Sequence, residues 1–222
     1  MAVGAIFDLD GTLVTFKADL RGAREELVEE LGRRGYDTSA LDPSSYTQAI
    51  LDAAKLQTPL GDEGRFEAAR RAAFEILDRF EVADIGATEL IPGARETLEH
   101  LRHRGVRMAL LTNCSRRAAS AKLEKTDIGS YFEFVLTRDE AVQMKPAPDG
   151  VAMAAARLGL ARDSIYYVGD TPWDIQAAKG AGVRAVALAT GNYSVERLRR
   201  EGADFALASA VGLEELFDGL GG

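Results

Sequence analysis

Five short apolar runs, separated by longer amphipathic stretches, constrain this chain more than any other feature. AVGAIF, VRMALLT, FEFVLT, SIYYVGD and VRAVALA are apolar at consecutive positions instead of alternating with polar residues. A strand of that kind needs apolar cover on both faces, as in a parallel sheet flanked by helices. The intervening stretches can supply the cover. Residues 92–104 read as a helix that opens at Pro92-Gly93 and stops at Gly105. Residues 115–125, 148–158 and 172–181 read as three more. Strand alternating with helix predicts a doubly wound, Rossmann-like α/β core.

One segment interrupts the alternation. Residues 16–88 contain no convincing strand, while 19–34, 44–54 and 63–80 read as helices. LVEEL and FEILDRF carry their apolar residues at helical spacing. The expected organisation is therefore a doubly wound core formed by 1–15 and 89–222, with an all-helical module, 16–88, inserted after the first strand. The core resumes near Leu90-Ile91-Pro92-Gly93.

With 222 residues, 46% hydrophobic and 28% charged, the chain can bury a sizeable core. Its net charge of −8 argues against non-specific binding to nucleic acid, which demands a basic face. A small anionic substrate stays compatible, since a pocket can be locally positive on an acidic protein. A single cysteine, Cys114, cannot form an internal disulfide. No basic leader and no membrane-length apolar run is present, so a cytoplasmic protein without a membrane partner is expected.

Four places look chemical, and each falls where a strand is about to end, the edge at which open α/β sheets bind ligands. In Asp8-Leu9-Asp10-Gly11-Thr12, two nearby carboxylates raise each other's pKa unless a cation neutralises them. That pattern suits a Mg²⁺ site in which one carboxylate is also a nucleophile, although a strand-ending turn with Asp as its cap would look similar. Thr112-Asn113 ends the second run and could donate to an anion or simply cap a helix. At Lys145-Pro146 an ammonium could screen a phosphate and a carboxylate, or simply be a solvated surface lysine. In Gly169-Asp170-Thr171-Pro172-Trp173-Asp174, the two acids lie one helical turn apart and could complete a cation site, or cap the helix that Pro172 begins.

Acid pair, Thr, Lys-Pro and a second acid pair, in this order, resemble the haloacid dehalogenase superfamily from Val3 to about Leu216. DLDGTL, IPGARETLEHLRHRG, KPAPDG, VGDTPWDIQAAKGAG and GADFALAS resemble most its phosphoglycolate-phosphatase-like branch. The resemblance implies a Mg²⁺-dependent phosphatase acting on a small phosphorylated metabolite, as monomer or homodimer. Asp8 would be the nucleophile that forms an aspartyl-phosphate, and Asp10 the general acid and then the general base. Thr112 would bind the transferring phosphoryl group, with the Asn113 backbone nearby. Lys145 would bind phosphate and hold Asp8 ionised. Asp170 would bind Mg²⁺ together with Asp8 and the Asp10 carbonyl, and Asp174 would do so directly or through water. The helical insertion resembles the family's cap, which closes over the site and selects substrate.

Other chemistries fit less well. Dehalogenases of the superfamily lack an acid two residues after the nucleophile, where this chain has Asp10. Sugar-phosphate mutases use a cap histidine, absent here, and phosphonate hydrolases a cap lysine, for which Lys17 and Lys55 are the only candidates. A phospho-signalling receiver shares the residue types but places its phosphorylated Asp on a middle strand and lacks the insertion. A catalytically inactive scaffold is the remaining alternative. His100 and His103, with no further ligand beside them, read as a solvated helix surface, and Cys114 as a small packing residue. Trp173 is expected either to cover the site or to pack beside it, and Arg65, Arg70, Arg71 and Arg79 to form a solvated face.

Overall fold

The computed structural model of the chain describes residues 2–220. The chain divides into two compact units, Met1–Phe16 with Ala87–Gly222, and Lys17–Gly86.

The first unit is built on one parallel sheet. Its strands are β1 (Gly4–Phe7), β2 (Arg107–Leu111), β3 (Val135–Leu136), β4 (Ile165–Gly169), β5 (Arg184–Leu188) and β6 (Phe205–Leu207). Their spatial order is β3-β2-β1-β4-β5-β6. β1 pairs with β2 in the register Ile6 to Ala109 and with β4 in the register Ile6 to Tyr167. The order reverses between β1 and β4, and there the connections leave toward opposite edges and open a crevice at the carboxyl ends. β1 and β4 are completely buried, which is why their sequences are apolar throughout.

Helices α4 (Ala94–His103), α5 (Arg116–Thr126), α6 (Asp149–Leu158), α7 (Pro172–Ala181), α8 (Val195–Arg200) and α9 (Val211–Gly219) complete this unit. Ala154, Ala155, Ala177 and Ala178 of α6 and α7 pack on Ile6, Ala109, Leu111 and Tyr167 of the sheet. Alanine at these positions lets helix backbones lie close to the strands. The paired tyrosines of β4 divide the two faces. Tyr167 joins the α6–α7 side, while the Tyr166 ring lies 5.2 Å from that of Phe217 in α9.

β6, α8 and α9 fall in the stretch after VRAVALA, where no element is expected from the sequence pattern. They are short, and β6 is a half-buried edge strand of three residues, so neither length nor a continuous apolar run announces them. FEFVLT reads as a strand, but only Val135 and Leu136 pair in the sheet.

The second unit consists of α1 (Leu20–Arg33), α2 (Thr47–Leu56) and α3 (Glu63–Asp84). Asp19 caps α1 by accepting from the Gly22 amide at 2.8 Å. Ala23, Leu27 and Leu31 form the buried stripe of α1, Ile50, Leu51 and Ala54 that of α2, and Ala69, Ala73, Ile76 and Leu77 that of α3. The expected solvated arginine face holds for Arg70, paired with Glu67, and for Arg79, paired with Glu26. Arg65 differs: its guanidinium lies 4.3 Å from the Tyr36 ring and donates to the Gly35 carbonyl at 2.7 Å, closing the end of α1.

Candidate active site

The carboxyl ends of β1 and β4 carry the acids. Asp8 continues β1, its N–H donating to the Val168 carbonyl at 2.8 Å, and Asp170 directly follows β4. Asp174 lies in the first turn of α7. Asp8, Asp170 and Asp174 are all buried and offer carboxylate oxygens within 4.8 Å of one another.

Lys145 enters this cluster from the loop after β3. Its ammonium donates to Asp8 Oδ1 at 2.6 Å, Asp174 Oδ1 at 2.7 Å and the Tyr167 hydroxyl at 2.8 Å. Asn113 fixes the loop from both sides: its amide Nδ2 donates to the Lys145 carbonyl at 3.1 Å, and its Oδ1 accepts from the Lys145 N–H at 3.0 Å. The Asn113 side chain thus positions Lys145, a role additional to the backbone one that the resemblance implies. Thr112, buried at the end of β2, accepts at its hydroxyl from the Cys114 N–H at 3.1 Å.

Three carboxylates share this buried space with one ammonium. Burial pushes the Asp8 carboxyl up to about 7, with Lys145 opposing and Asp174 and Asp10 adding to the rise. Burial likewise pushes Asp170 up to about 8, reinforced by the charges of Asp174 and Asp8. Burial alone would lower Lys145, but Asp174 and Asp8 outweigh it and hold the ammonium well above its ordinary range. Lys145 therefore stays charged, yet does not by itself keep Asp8 in the usual carboxylate range. A further cation held by Asp8 and Asp170 would supply the missing positive charge, and hard carboxylate oxygens suit a hard divalent ion.

Two glycines lie against Asp170. Gly11 sits at φ 81°, and a Cβ there would meet Asp170 Oδ2 at 2.5 Å. A Cβ on Gly191 would overlap the same oxygen. Thr12 donates to Asp170 Oδ1 at 3.1 Å, and Thr190 to the Gly11 carbonyl at 2.7 Å, so the turn after β1 and the loop after β5 are tied around Asp170.

Asp174 is a helix cap and a member of the cluster at once. The Thr171 hydroxyl accepts from the Asp174 N–H, while Asp174 Oδ2 accepts from the Thr171 N–H at 3.0 Å. Its other oxygen serves Lys145 and, at 3.2 Å, the Tyr167 hydroxyl. The two readings of this residue, cap or site acid, are compatible.

Asp10 stands apart. Its Oδ1 accepts from the Lys122 ammonium at 2.6 Å and its Oδ2 from the Cys114 thiol at 2.6 Å. Cys114 is buried, as a packing residue would be, but it also touches a candidate site acid. Lys122 was not legible as a site residue among the many lysines of the chain. Its signal is positional: Ala118, Ala119, Lys122, Leu123 and Thr126 form the buried face of α5, where helical spacing calls for an apolar side chain. Arg138 is a second missed residue. It is almost completely buried and donates to the Asn113 carbonyl at 2.9 Å, holding the loop that carries Thr112 and Asn113.

Trp173 packs edge-on against Tyr193, the ring centroids 6.5 Å apart. His100 Nε2 lies 2.9 Å from Asp218 Oδ1, which also pairs with Arg104, so this histidine links α4 to α9 at a partly exposed surface.

Comparison with known proteins relates the chain to a family of hydrolases. The model of the haloacid dehalogenase-like hydrolases matches residues 4–182. A phosphoglycolate phosphatase of Pseudomonas fluorescens is 34% identical over 187 residues, covering 84% of this chain and 69% of its own. A phosphoglycolate phosphatase of Escherichia coli O157:H7 is 34% identical over 209 residues, covering 86% of this chain and 82% of its own. The crystal structure of a family hydrolase from Deinococcus radiodurans, with bound phosphate and sodium, superposes with a TM-score of 0.63 at 23% identity, covering 99% of this chain and 96% of that one. The last likeness concerns the fold.

Proposed function

This chain belongs to the haloacid dehalogenase-like hydrolase family, and on that footing we propose that it is a Mg²⁺-dependent phosphatase of small phosphomonoesters. The observation that carries the reading is the buried grouping of Asp8, Asp170 and Asp174 around a single ammonium at the sheet's switch point. An anionic centre of this kind is costly to bury unless a cation neutralises it.

Asp8 is the nucleophile. Its carboxylate oxygen attacks phosphorus, the ester P–O bond breaks, and Asp10 gives a proton to the departing alkoxide. Asp10 then takes a proton from water, the water oxygen attacks the phosphorus of the aspartyl-phosphate, and Asp8 leaves as a carboxylate with release of inorganic phosphate. The covalent intermediate divides one very slow displacement into two. Lys145 neutralises charge on Asp8 and on the phosphoryl oxygens, and the Thr112 hydroxyl with the Asn113 backbone orients them. Asp8, Asp170 and the Asp10 carbonyl would hold Mg²⁺, with Asp174 directly or through water. That ion would offset the negative charge which raises Asp8 and Asp170. The helical unit, Lys17–Gly86, takes the family's cap role of selecting substrate. We assign the protein to the cytoplasm; among the described residues, no helix is long and apolar enough to cross a membrane.

The test is turnover of p-nitrophenyl phosphate and of a panel of phosphorylated metabolites, 2-phosphoglycolate included, with and without Mg²⁺. Mg²⁺-dependent release of inorganic phosphate is expected. Absence of turnover on every member with Mg²⁺ present overturns the reading.

A further inference from the structure

Lys122 is a costly residue for its place. It occupies the buried face of α5 with no exposed surface, among Ala118, Ala119 and Leu123. Its ammonium lies 2.6 Å from Asp10 Oδ1, 3.9 Å from Cys114 Sγ and 4.9 Å from the centre of the Phe16 ring. Buried ion pairs are seldom more stabilising than an apolar residue of similar volume, so a packing role alone does not account for a lysine here.

Its geometric effect is specific. Asp8, Asp170 and Asp174 gather their oxygens within 4.8 Å, and Asp10, only two residues from Asp8, is not among them. Lys122 holds Asp10 Oδ1 while the Cys114 thiol holds Oδ2, so the Asp10 carboxylate is drawn toward α5. α5 carries Lys122 on a buried face with Ala118, Ala119 and Leu123, and Ser115 caps the helix by accepting from the Ala118 N–H at 3.0 Å. The anchor is thus a buried helix face, not an exposed side chain.

We propose that Lys122 is a positioning residue for the proton-transfer step. It keeps the Asp10 carboxylate out of the acid cluster and oriented to serve the leaving group and the attacking water. The inference rests on the acid–base role assigned to Asp10 above. It separates two carboxylates of one turn into two tasks, with Asp8 held by Lys145 and Asp10 by Lys122. Without Lys122, only the Cys114 thiol would hold the Asp10 carboxylate, and the step that suffers would be the one needing its proton.

The test is single-turnover phosphoryl transfer in wild type, Lys122→Met, Asp10→Asn and the double variant, on p-nitrophenyl phosphate and an alkyl phosphate. A p-nitrophenolate leaves with little protonation, whereas an alkoxide does not. Lys122→Met is expected to lose at least about tenfold more rate on the alkyl ester than on the aryl ester, a part of the roughly 10²–10⁴-fold that acid–base catalysis contributes. The double variant should be no slower than Asp10→Asn, because both changes remove the same step. Lys122→Arg should recover part of the alkyl-ester rate. A purely structural role would slow both esters alike, and that result overturns the inference, as would losses that multiply in the double variant. If Asp10→Asn itself shows no leaving-group dependence, the acid–base reading fails first; if it does and Lys122→Met does not, only the role of Lys122 fails. Should Lys122→Met not fold, as judged by its thermal melt, Lys122→Gln is measured by the same criteria.

Discussion

The Lys145 ammonium lies 2.6 Å from Asp8 Oδ1, yet the Asp8 carboxyl stands near 7 because burial and the neighbouring acids outweigh that single contact. The pair is therefore an incomplete charge balance, and its consequences can be measured.

Asp8→Asn keeps the shape of the side chain and removes the nucleophile. Turnover should fall by at least about a thousandfold, with the melting temperature unchanged or raised. The check is phosphate release by a sample verified by mass spectrometry to be free of deamidation. Near-wild-type activity in that sample would falsify the nucleophile assignment.

The stability of protein stripped of divalent cations should depend on pH in an unusual direction. Asp8 and Asp170 have folded-state values of about 7 and about 8, against 3.8 ordinarily. The folded protein then holds protons that the unfolded chain has lost, so this contribution is fully present below about pH 4 and is lost as pH rises through 8. Melting in EDTA should thus decline from pH 5.5 to 8.5. Asp170→Asn should flatten the decline and raise the melting temperature at pH 8.5 by roughly 4–8 °C, corresponding to about 2 kcal/mol. A flat wild-type profile contradicts the charge crowding.

Mg²⁺ should support activity and Ca²⁺ suppress it. Mg²⁺ takes six oxygens in near-octahedral geometry, whereas Ca²⁺ takes six to eight and would recruit the second oxygen of Asp8 as a ligand. Competition of the two ions in a p-nitrophenyl phosphate assay decides this, and equal rates with either ion count against it.

Gly191→Ala tests the wall around Asp170. The new Cβ would overlap Asp170 Oδ2, and the carboxylate must turn away from its Thr12 bond. Divalent-cation affinity by calorimetry should drop about 10–100-fold, the usual cost of displacing a group that orients a ligand. Gly64→Ala, where a Cβ meets nothing within 4 Å, is the control and should leave affinity unchanged. Unchanged affinity in Gly191→Ala would mean that the loop after β5 yields without disturbing Asp170.

The doubly wound core was legible in the sequence because buried parallel strands are apolar at every position and their helices carry local start and stop signals. β1, β4, α6 and α7 illustrate this. Asp8, Asp10, Asp170 and Asp174 are legible for a related reason: each pair sits within a few residues at a strand end, so its spacing is written along the chain. Local pattern does not reveal distant partners. Lys122 meets Asp10 across 112 residues, Thr190 meets Gly11 across 179, and Lys145 reaches Tyr167 across 22. Only the packing of α5, the loop after β3 and the loop after β5 around the ends of β1 and β4 decides those contacts. Sequence alone therefore determined which acids the chain carries at its strand ends. The tertiary structure decided how they divide, with Asp8 sharing Lys145 with Asp174 and Asp10 drawn to Lys122, because charges buried in a core take the partners that folding brings to them.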